Sequence, residues 1–126
     1  MSNRWFSLVL LPLLLAGCTT NKITNLTPRI AHRNADGLYS VEVRWDSTQR
    51  SIRPDSFKPQ VVVGTEFYPL QPTPLTQNRW EGLVPAPAGQ RFVTYHFKFD
   101  YLYDSVPIPR PDSRLSQTYQ LEITDH

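Results

Sequence analysis

The feature that most constrains the fold of this chain is an alternating aromatic run from Arg91 to Tyr103. Its odd-numbered positions form an apolar stripe, made of Val93, Tyr95, Phe97, Phe99, Tyr101 and Tyr103. Successive side chains of a β-strand point to opposite faces, so this period of two predicts a strand with one face in the core. The run exceeds the usual strand length of about 5–6 residues. We therefore expect a bend, or an end that projects beyond the core.

Shorter segments with strand-like alternation lie on both sides of this run. Between Leu38 and Trp45 the apolar residues again occupy every second position, and Gly64-Thr65 separates two short apolar segments as in a hairpin. The predicted strands besides the aromatic run cover residues 28–33 with Ile30 facing inward, 38–45, 60–63, 66–70, 78–84 and 115–123. No segment has a helical period, and the 12 prolines disfavour long helices. These patterns predict a single antiparallel β-sandwich of about six to eight strands.

The C-terminal part of the pattern resembles the last two strands of immunoglobulin-like or fibronectin-III-like domains. It consists of a Pro/Gly loop at 85–89, the aromatic strand, a proline-rich loop at 105–113 and a final strand. This resemblance implies an immunoglobulin-like architecture. The Cys…Trp…Cys spacing of true immunoglobulin domains is absent, so the resemblance implies nothing about activity.

The N-terminus has the layout of a secretory signal peptide. Arg4 precedes an apolar segment at 6–16, which is shorter than the about 20 residues that a membrane span requires. The segment ends in Leu15-Ala16-Gly17-Cys18, which resembles the lipobox of bacterial lipoproteins. This resemblance implies cleavage before Cys18, a diacylglycerol on its sulfur and a further acyl chain such as palmitate on its amine. An ordinary cleaved leader would instead leave Cys18 as an odd thiol in an exported protein.

The lipobox also carries expectations about domains and localisation. We expect a signal peptide at 1–17, the lipidated cysteine and a polar tether at 18–26, and the β domain at 27–126. The residue after the cysteine is Thr19, whereas an aspartate there tends to retain lipoproteins in the inner membrane of diderm bacteria. The resemblance therefore implies the outer membrane, with the domain on its periplasmic face.

The remaining residues disfavour several classes of function. The net charge is only +2 and no basic cluster is present, which disfavours a nucleic-acid partner. The three histidines lack metal-ligand spacing, and no Gly-rich phosphate loop or Gly-x-Ser-x-Gly elbow occurs. Asp100 and Asp104 would lie roughly 13 Å apart on an extended strand, too far for paired acid/base carboxylates. We expect neither an enzymatic activity nor a metal or other cofactor.

Two groups of residues are candidates for binding. Trp80, Tyr101 and Tyr103 would offer flat rings to a sugar if they were exposed, whereas the alternative is that they belong to the core. Arg110 lies in the proline-rich loop, which either binds a protein partner or shields a sheet edge. The sequence thus predicts a non-enzymatic lipoprotein attached to the membrane through Cys18, acting as an accessory or protein-binding subunit of an envelope assembly. The alternative is a glycan- or peptidoglycan-binding module.

Overall fold

The computed structural model describes residues 19–125, so the predicted signal peptide and Cys18 lie outside the described residues. This part of the chain is all-β apart from a single 3-10 turn at Pro54–Ser56. The strands are β1 (Asn21–Asn25), β2 (Ile30–His32), β3 (Leu38–Ser47), β4 (Lys58–Val63), β5 (Glu66–Pro69), β6 (Gln71–Pro72), β7 (Arg79–Pro85), β8 (Phe92–Tyr103), β9 (Arg110–Leu115) and β10 (Tyr119–Thr124).

The strands form two open sheets, an arrangement compatible with a β-sandwich. Sheet A has the order β1-β3-β7-β6, and sheet B has the order β2-β10-β8-β4-β5 with β9 also paired to β8. All the named pairs are antiparallel except β2 with β10, which are parallel. The prediction of a purely antiparallel sandwich is therefore wrong at this pair, and the predicted six to eight strands are too few, since the described residues form ten.

Strand β1 lies where the sequence predicts a polar tether. Asn21–Asn25 pair with β3 over their whole length, from Asn21 opposite Ser47 to Asn25 opposite Val43. The chain then passes Pro28, which cannot donate to a ladder, and continues as β2 in the other sheet. The N-terminal segment thus contributes one edge strand to each sheet. Residues 21–25, within the segment predicted as a tether, form a strand because long-range pairing with β3, rather than local pattern, decides their conformation.

The core lies between the sheets and is built largely from the two alternating strands that the sequence predicts. The inward side chains of β3 and β8 are buried, namely Tyr39, Val41, Val43, Trp45, Val93, Tyr95, Phe97, Phe99 and Tyr101. Ile30 was predicted to face inward, but its side chain is 54% exposed and its neighbour Ala31 packs on the core instead. A shift of one residue reverses every side chain of a strand, and the parallel pairing with β10 sets this register.

The length of β8 is accommodated by two successive partners on one edge. Strand β10 pairs with residues 92–95 of β8, and β9 pairs with residues 98–103. Between them the chain leaves the ladder, and Ser116 Oγ accepts a hydrogen bond of 2.8 Å from the Phe97 backbone N–H. The far end of β8 does not project freely, because Tyr103 pairs with Arg110 on one side and forms a bridge to Ile52 on the other.

The strand directions collect three loops and the start of the described chain at one end of the molecule, here called the Thr20 end. It comprises Thr20 and the loops 48–57, 73–78 and 104–109. Backbone hydrogen bonds tie these segments together, from Thr48 to Thr20 (2.9 Å) and from Asp104 to Ser51 (2.8 Å). The opposite end comprises the loops 33–37, 64–65 and 86–91.

Candidate functional site

A cavity of about 710 Å³ opens at the Thr20 end. Small-molecule sites in proteins typically have volumes of about 300–1,000 Å³, an apolar lining and a few well-placed polar groups. The lining residues are Thr20, Lys22, Trp45, Asp46, Ser47, Thr48, Gln49, Ile52, Pro54, Phe57, Asn78 and Trp80. They come from Thr20, β1, β3, β7 and the loops 48–57 and 73–78, so the cavity exists only once β1 has joined sheet A.

Three aromatic rings form the apolar part of the cavity. Trp45 is the last inward side chain of β3, Phe57 precedes β4, and Trp80 lies on β7 opposite Val43. The ring centroid of Phe57 is 5.4 Å from that of Trp45 and 5.6 Å from that of Trp80. Distances of this size are typical of attractive aromatic pairs.

The same rings continue into the core, which makes this wall of the cavity stiff. The centroid of Phe99 lies 4.8 Å from that of Trp45 and 5.6 Å from that of Phe57, and Phe99 is fully buried. Interiors of this kind are close-packed and keep their side chains in fixed rotamers. A ligand would therefore meet a preformed apolar surface, and ordering that surface would cost it little entropy.

The rim of the cavity is polar and partly fixed by its own hydrogen bonds. Thr20 N donates to Thr48 Oγ1 at 2.8 Å, and Gln49 N donates to Ser47 Oγ at 3.0 Å. Asp46 accepts from Arg44 Nε at 3.0 Å, so its carboxylate is already paired. The lining side chains also include Lys22 and Asn78, which bring further hydrogen-bonding groups to the rim. An apolar wall with such a rim suits a ligand that has an apolar face and hydrogen-bonding groups at its margin.

The structure separates the four binding residues that the sequence predicts. Trp80 is half-buried and lines the cavity. Tyr101 is only 3% exposed, and therefore offers no open ring face to a sugar. Tyr103 is half-buried and forms a backbone bridge to Ile52, and Arg110 is exposed at the start of β9; neither lines the cavity.

Two of the three cavity rings were not recognised from the sequence. The alternation of β3 assigns Trp45 to the core, which is correct, but alternation does not reveal that one edge of its ring borders a cavity. Phe57 follows Pro54-Asp55-Ser56 in a loop without any period. An isolated aromatic residue between a proline turn and a strand was the only available signal.

The ionisable groups around β8 have local partners. Tyr101 Oη donates to Asp112 Oδ2 at 3.2 Å, and burial, reinforced by the negative charge of Asp112, raises the pKa of the Tyr101 phenol. Asp100 accepts from Gln60 Nε2 at 3.1 Å and lies 3.6 Å from Lys98 Nζ, whereas Asp104 faces Arg53 at 3.9 Å. The two carboxylates therefore belong to different ion pairs.

Among residues 19–125 no cluster of three or more His, Cys, Asp or Glu side chains has the geometry to hold a metal ion. None of the helices among these residues has the length and apolar character needed to cross a membrane. The chain matches none of the protein-family models, curated proteins or solved structures with which it was compared.

Proposed function

We propose that this protein is a non-enzymatic lipoprotein of the bacterial cell envelope, attached to the membrane through Cys18, whose β domain binds a partner protein. The lipobox resemblance of Leu15-Ala16-Gly17-Cys18 supports the anchor. The observation that carries the binding role is the aromatic cavity at the Thr20 end. Interfaces draw most of their energy from a few anchor side chains that fill such preformed cavities.

The strand order supports an immunoglobulin-like architecture for the domain. In immunoglobulin constant domains one sheet has strands A, B, E and D, and the other has C, F and G. The order β1-β3-β7-β6 corresponds to A-B-E-D, and the neighbours β4, β8 and β10 correspond to C, F and G. In immunoglobulin variable domains, binding loops cluster at one end of the sandwich, and the cavity likewise lies among the loops of one end.

The anchor would hold this end of the domain against the membrane. Only Thr19 separates Cys18 from Thr20, whose backbone is hydrogen-bonded to Thr48. A tether of eight flexible residues would have an r.m.s. length of about 15 Å. Because β1 begins at Asn21, almost no flexible residues remain between Cys18 and the first strand. Thr19, in place of an aspartate, supports the outer membrane, with the domain on its periplasmic face.

The cavity also favours a second candidate, a glycan ligand. The ring of Trp80 borders an open volume in which the apolar face of a sugar would stack, and the rim side chains Lys22, Gln49 and Asn78 would reach its hydroxyl groups. The burial of Tyr101 weakens this candidate, because Trp80 is then the one predicted glycan-binding aromatic residue that lines the cavity.

Photo-crosslinking in cells separates the two candidates. A photoreactive amino acid replaces Lys22, which is exposed and lines the cavity, and in a control strain it replaces Thr65, which is exposed at the opposite end. We expect a protein adduct from position 22, identified by mass spectrometry, that Trp80→Ala weakens and that position 65 does not form. Binding of the mature domain to purified peptidoglycan that Trp80→Ala abolishes, without an adduct at position 22, would favour the glycan. If neither the protein adduct nor the peptidoglycan binding is observed, binding at this cavity is rejected.

A further inference from the structure

The three most exposed large hydrophobic side chains of the described residues lie in two loops. Leu75 is fully exposed, Val106 is 90% exposed and Ile108 is 65% exposed. Leu75 belongs to the loop 73–78, and the other two belong to the loop 104–109. Side chains so open to solvent make few packing contacts within the domain, so their apolar character is not explained by the core.

Both loops belong to the Thr20 end. Trp45 N donates to Asn78 O at 2.9 Å at the base of the loop 73–78, and Asp104 N donates to Ser51 O at 2.8 Å at the base of the loop 104–109. At the opposite end the loops 33–37, 64–65 and 86–91 contain no exposed large hydrophobic, and those at the flanking strand ends are less exposed, namely Leu38 at 41%, Phe67 at 54% and Phe92 at 38%. The two ends of the domain therefore differ in how far their apolar side chains are exposed, and the more apolar end contains Thr20, which is close to Cys18 in sequence.

The Thr20 end also carries prolines beside an exposed apolar residue and several unpaired basic residues. Pro107 and Pro109 flank Ile108, and each proline restricts the backbone of the loop at its own position. The loop therefore loses less entropy when it becomes ordered on a surface. Several exposed charged residues of this end and of its flanking strand ends form no ion pair shorter than 4 Å. Most of them are basic, namely Lys22, Arg50, Lys58 and Arg110, and one is acidic, Asp55. Anionic lipid surfaces attract such basic groups.

We propose that the Thr20 end is a membrane-contacting surface, in which Leu75, Val106 and Ile108 enter the headgroup region of a bilayer containing anionic lipid. The proposal rests on the lipid anchor at Cys18 for its orientation, because Thr20 lies two positions after this cysteine. Apolar side chains and basic groups next to a lipid anchor together give a second membrane signal. The domain then stands end-on, and the aromatic cavity is held at the bilayer surface, where its partner must also lie.

The test uses the mature chain with Cys18→Ser, because the sequence then contains no cysteine and one can be introduced for labelling. An N-terminal hexahistidine tag replaces the lipid and binds the domain to vesicles of phosphatidylethanolamine and phosphatidylglycerol that contain a nickel-chelating lipid. A polarity-sensitive fluorophore is attached through Gln77→Cys at the Thr20 end or, as the matched control, through Ala88→Cys at the opposite end. Both positions are exposed loop residues.

We expect the emission of the fluorophore at position 77 to move to shorter wavelength on vesicle binding and that at position 88 to stay unchanged. The triple variant Leu75→Ser, Val106→Ser and Ile108→Ser should lose the shift at position 77. A control variant, Ile30→Ser with Leu83→Ser, alters two exposed apolar residues outside the Thr20 end and should keep it. Equal thermal unfolding of all variants shows that the domain remains folded.

Several results would overturn the proposal. One is a shift at position 77 that survives in the triple variant, since the tag alone would then account for it. Another is a wild-type protein that sediments as a dimer while the triple variant alone sediments as a monomer, because the loops would then join two copies of the chain. Failure of the anchor is detected separately, by the absence of fatty-acid labelling of the wild-type protein in cells. That outcome would reject the proposed lipidation while leaving the vesicle measurement valid.

Discussion

Asn25 Nδ2 donates a hydrogen bond of 2.9 Å to Tyr95 Oη and thereby links β1 of sheet A to β8, the central strand of sheet B. Tyr95 is buried, so its hydroxyl group depends on this partner. The same asparagine accepts from Thr27 N through Oδ1 at 3.1 Å, at the point where the chain leaves β1. One side chain in a segment of low hydrophobicity therefore joins the N-terminal strand to the core.

Replacing Asn25 by alanine should destabilise the domain. The change removes both hydrogen bonds and leaves the Tyr95 hydroxyl unpaired in a buried position, which costs about 1–3 kcal/mol. Urea denaturation followed by tryptophan fluorescence measures the free energy of unfolding. Tyr95→Phe removes only the bond between the sheets, so the double variant should lose less than the sum of the two single changes. Strict additivity would mean that the two side chains do not interact in solution.

Ser116→Ala should destabilise the domain through the buried strand β8. Ser116 Oγ is the acceptor for Phe97 N at 2.8 Å, where the ladder passes from β9 to β10. Phe97 is fully buried, so its N–H would lose its acceptor, with an expected cost of about 1–3 kcal/mol. Chemical denaturation measures this loss. The comparison variant Ser113→Ala removes a solvent-exposed hydrogen bond from Ser113 Oγ to Asp100 and should cost less, because water can replace that partner; an equal loss in both would contradict the role assigned to Ser116.

The burial of Tyr101, with Asp112 beside its hydroxyl group, predicts a pH dependence of stability. Because burial raises the pKa of the Tyr101 phenol above its ordinary value of 10.0, the unfolded chain loses the phenolic proton before the folded protein does. This contribution to stability is therefore complete below the unfolded pKa and is lost as the pH rises through the folded pKa. Denaturation curves of wild type and Tyr101→Phe should converge at alkaline pH, and a constant difference between them would contradict the prediction.

Cys18→Ser should abolish lipidation and processing. The lipobox resemblance implies that the sulfur of Cys18 receives the diacylglycerol and that cleavage follows this step. The variant should not incorporate labelled palmitate and should retain the mass of the uncleaved chain, as measured by mass spectrometry. Ser7→Ala, a change within the leader but outside the lipobox, serves as the control and should be labelled normally. Labelling of Cys18→Ser would show that the acyl chain is carried by another residue.

Thr19→Asp should move the protein from the outer to the inner membrane if the host has two membranes. The expectation follows from the lipobox resemblance, in which aspartate after the cysteine favours retention. Fractionation of the two membranes by density, followed by immunodetection, measures the distribution. Thr20→Asp places the same charge one residue later and should leave most of the protein in the outer membrane, so equal redistribution in both variants would point to a nonspecific charge effect.

The strands that could be predicted are those whose own sequence shows which face is buried. In β3 and β8 every second side chain is apolar, and the structure buries those side chains. In β1 only Ile23 is apolar, and the strand exists because β3 supplies a complete ladder of hydrogen bonds along its edge. Ile30 was assigned to the wrong face for a related reason, because pairing with β10 decides the register of a strand of only three residues.

The candidate site could be predicted even less well. Trp80 was recognised as a possible ligand contact, but the cavity that it lines also requires Trp45 from β3 and Phe57 from the loop before β4. These residues are distant in sequence and lie together only because β3 and β7 pair while the two sheets pack on each other. Tyr101 shows the converse, since its position near a strand end suggested exposure, yet contacts with Phe57 and Asp112 enclose it.

The sequence by itself determined the all-β character of this protein, the two principal core strands and the expectation of a lipid anchor at Cys18. Each of these depends on neighbouring residues, either through the two-residue period of a strand or through a short cleavage motif. The tertiary structure alone decided that residues 21–32 are divided between the two sheets, that three aromatic rings border one cavity, and that the exposed apolar loops share the Thr20 end. Those features depend on strand pairing and sheet packing between distant residues, which a local pattern does not encode.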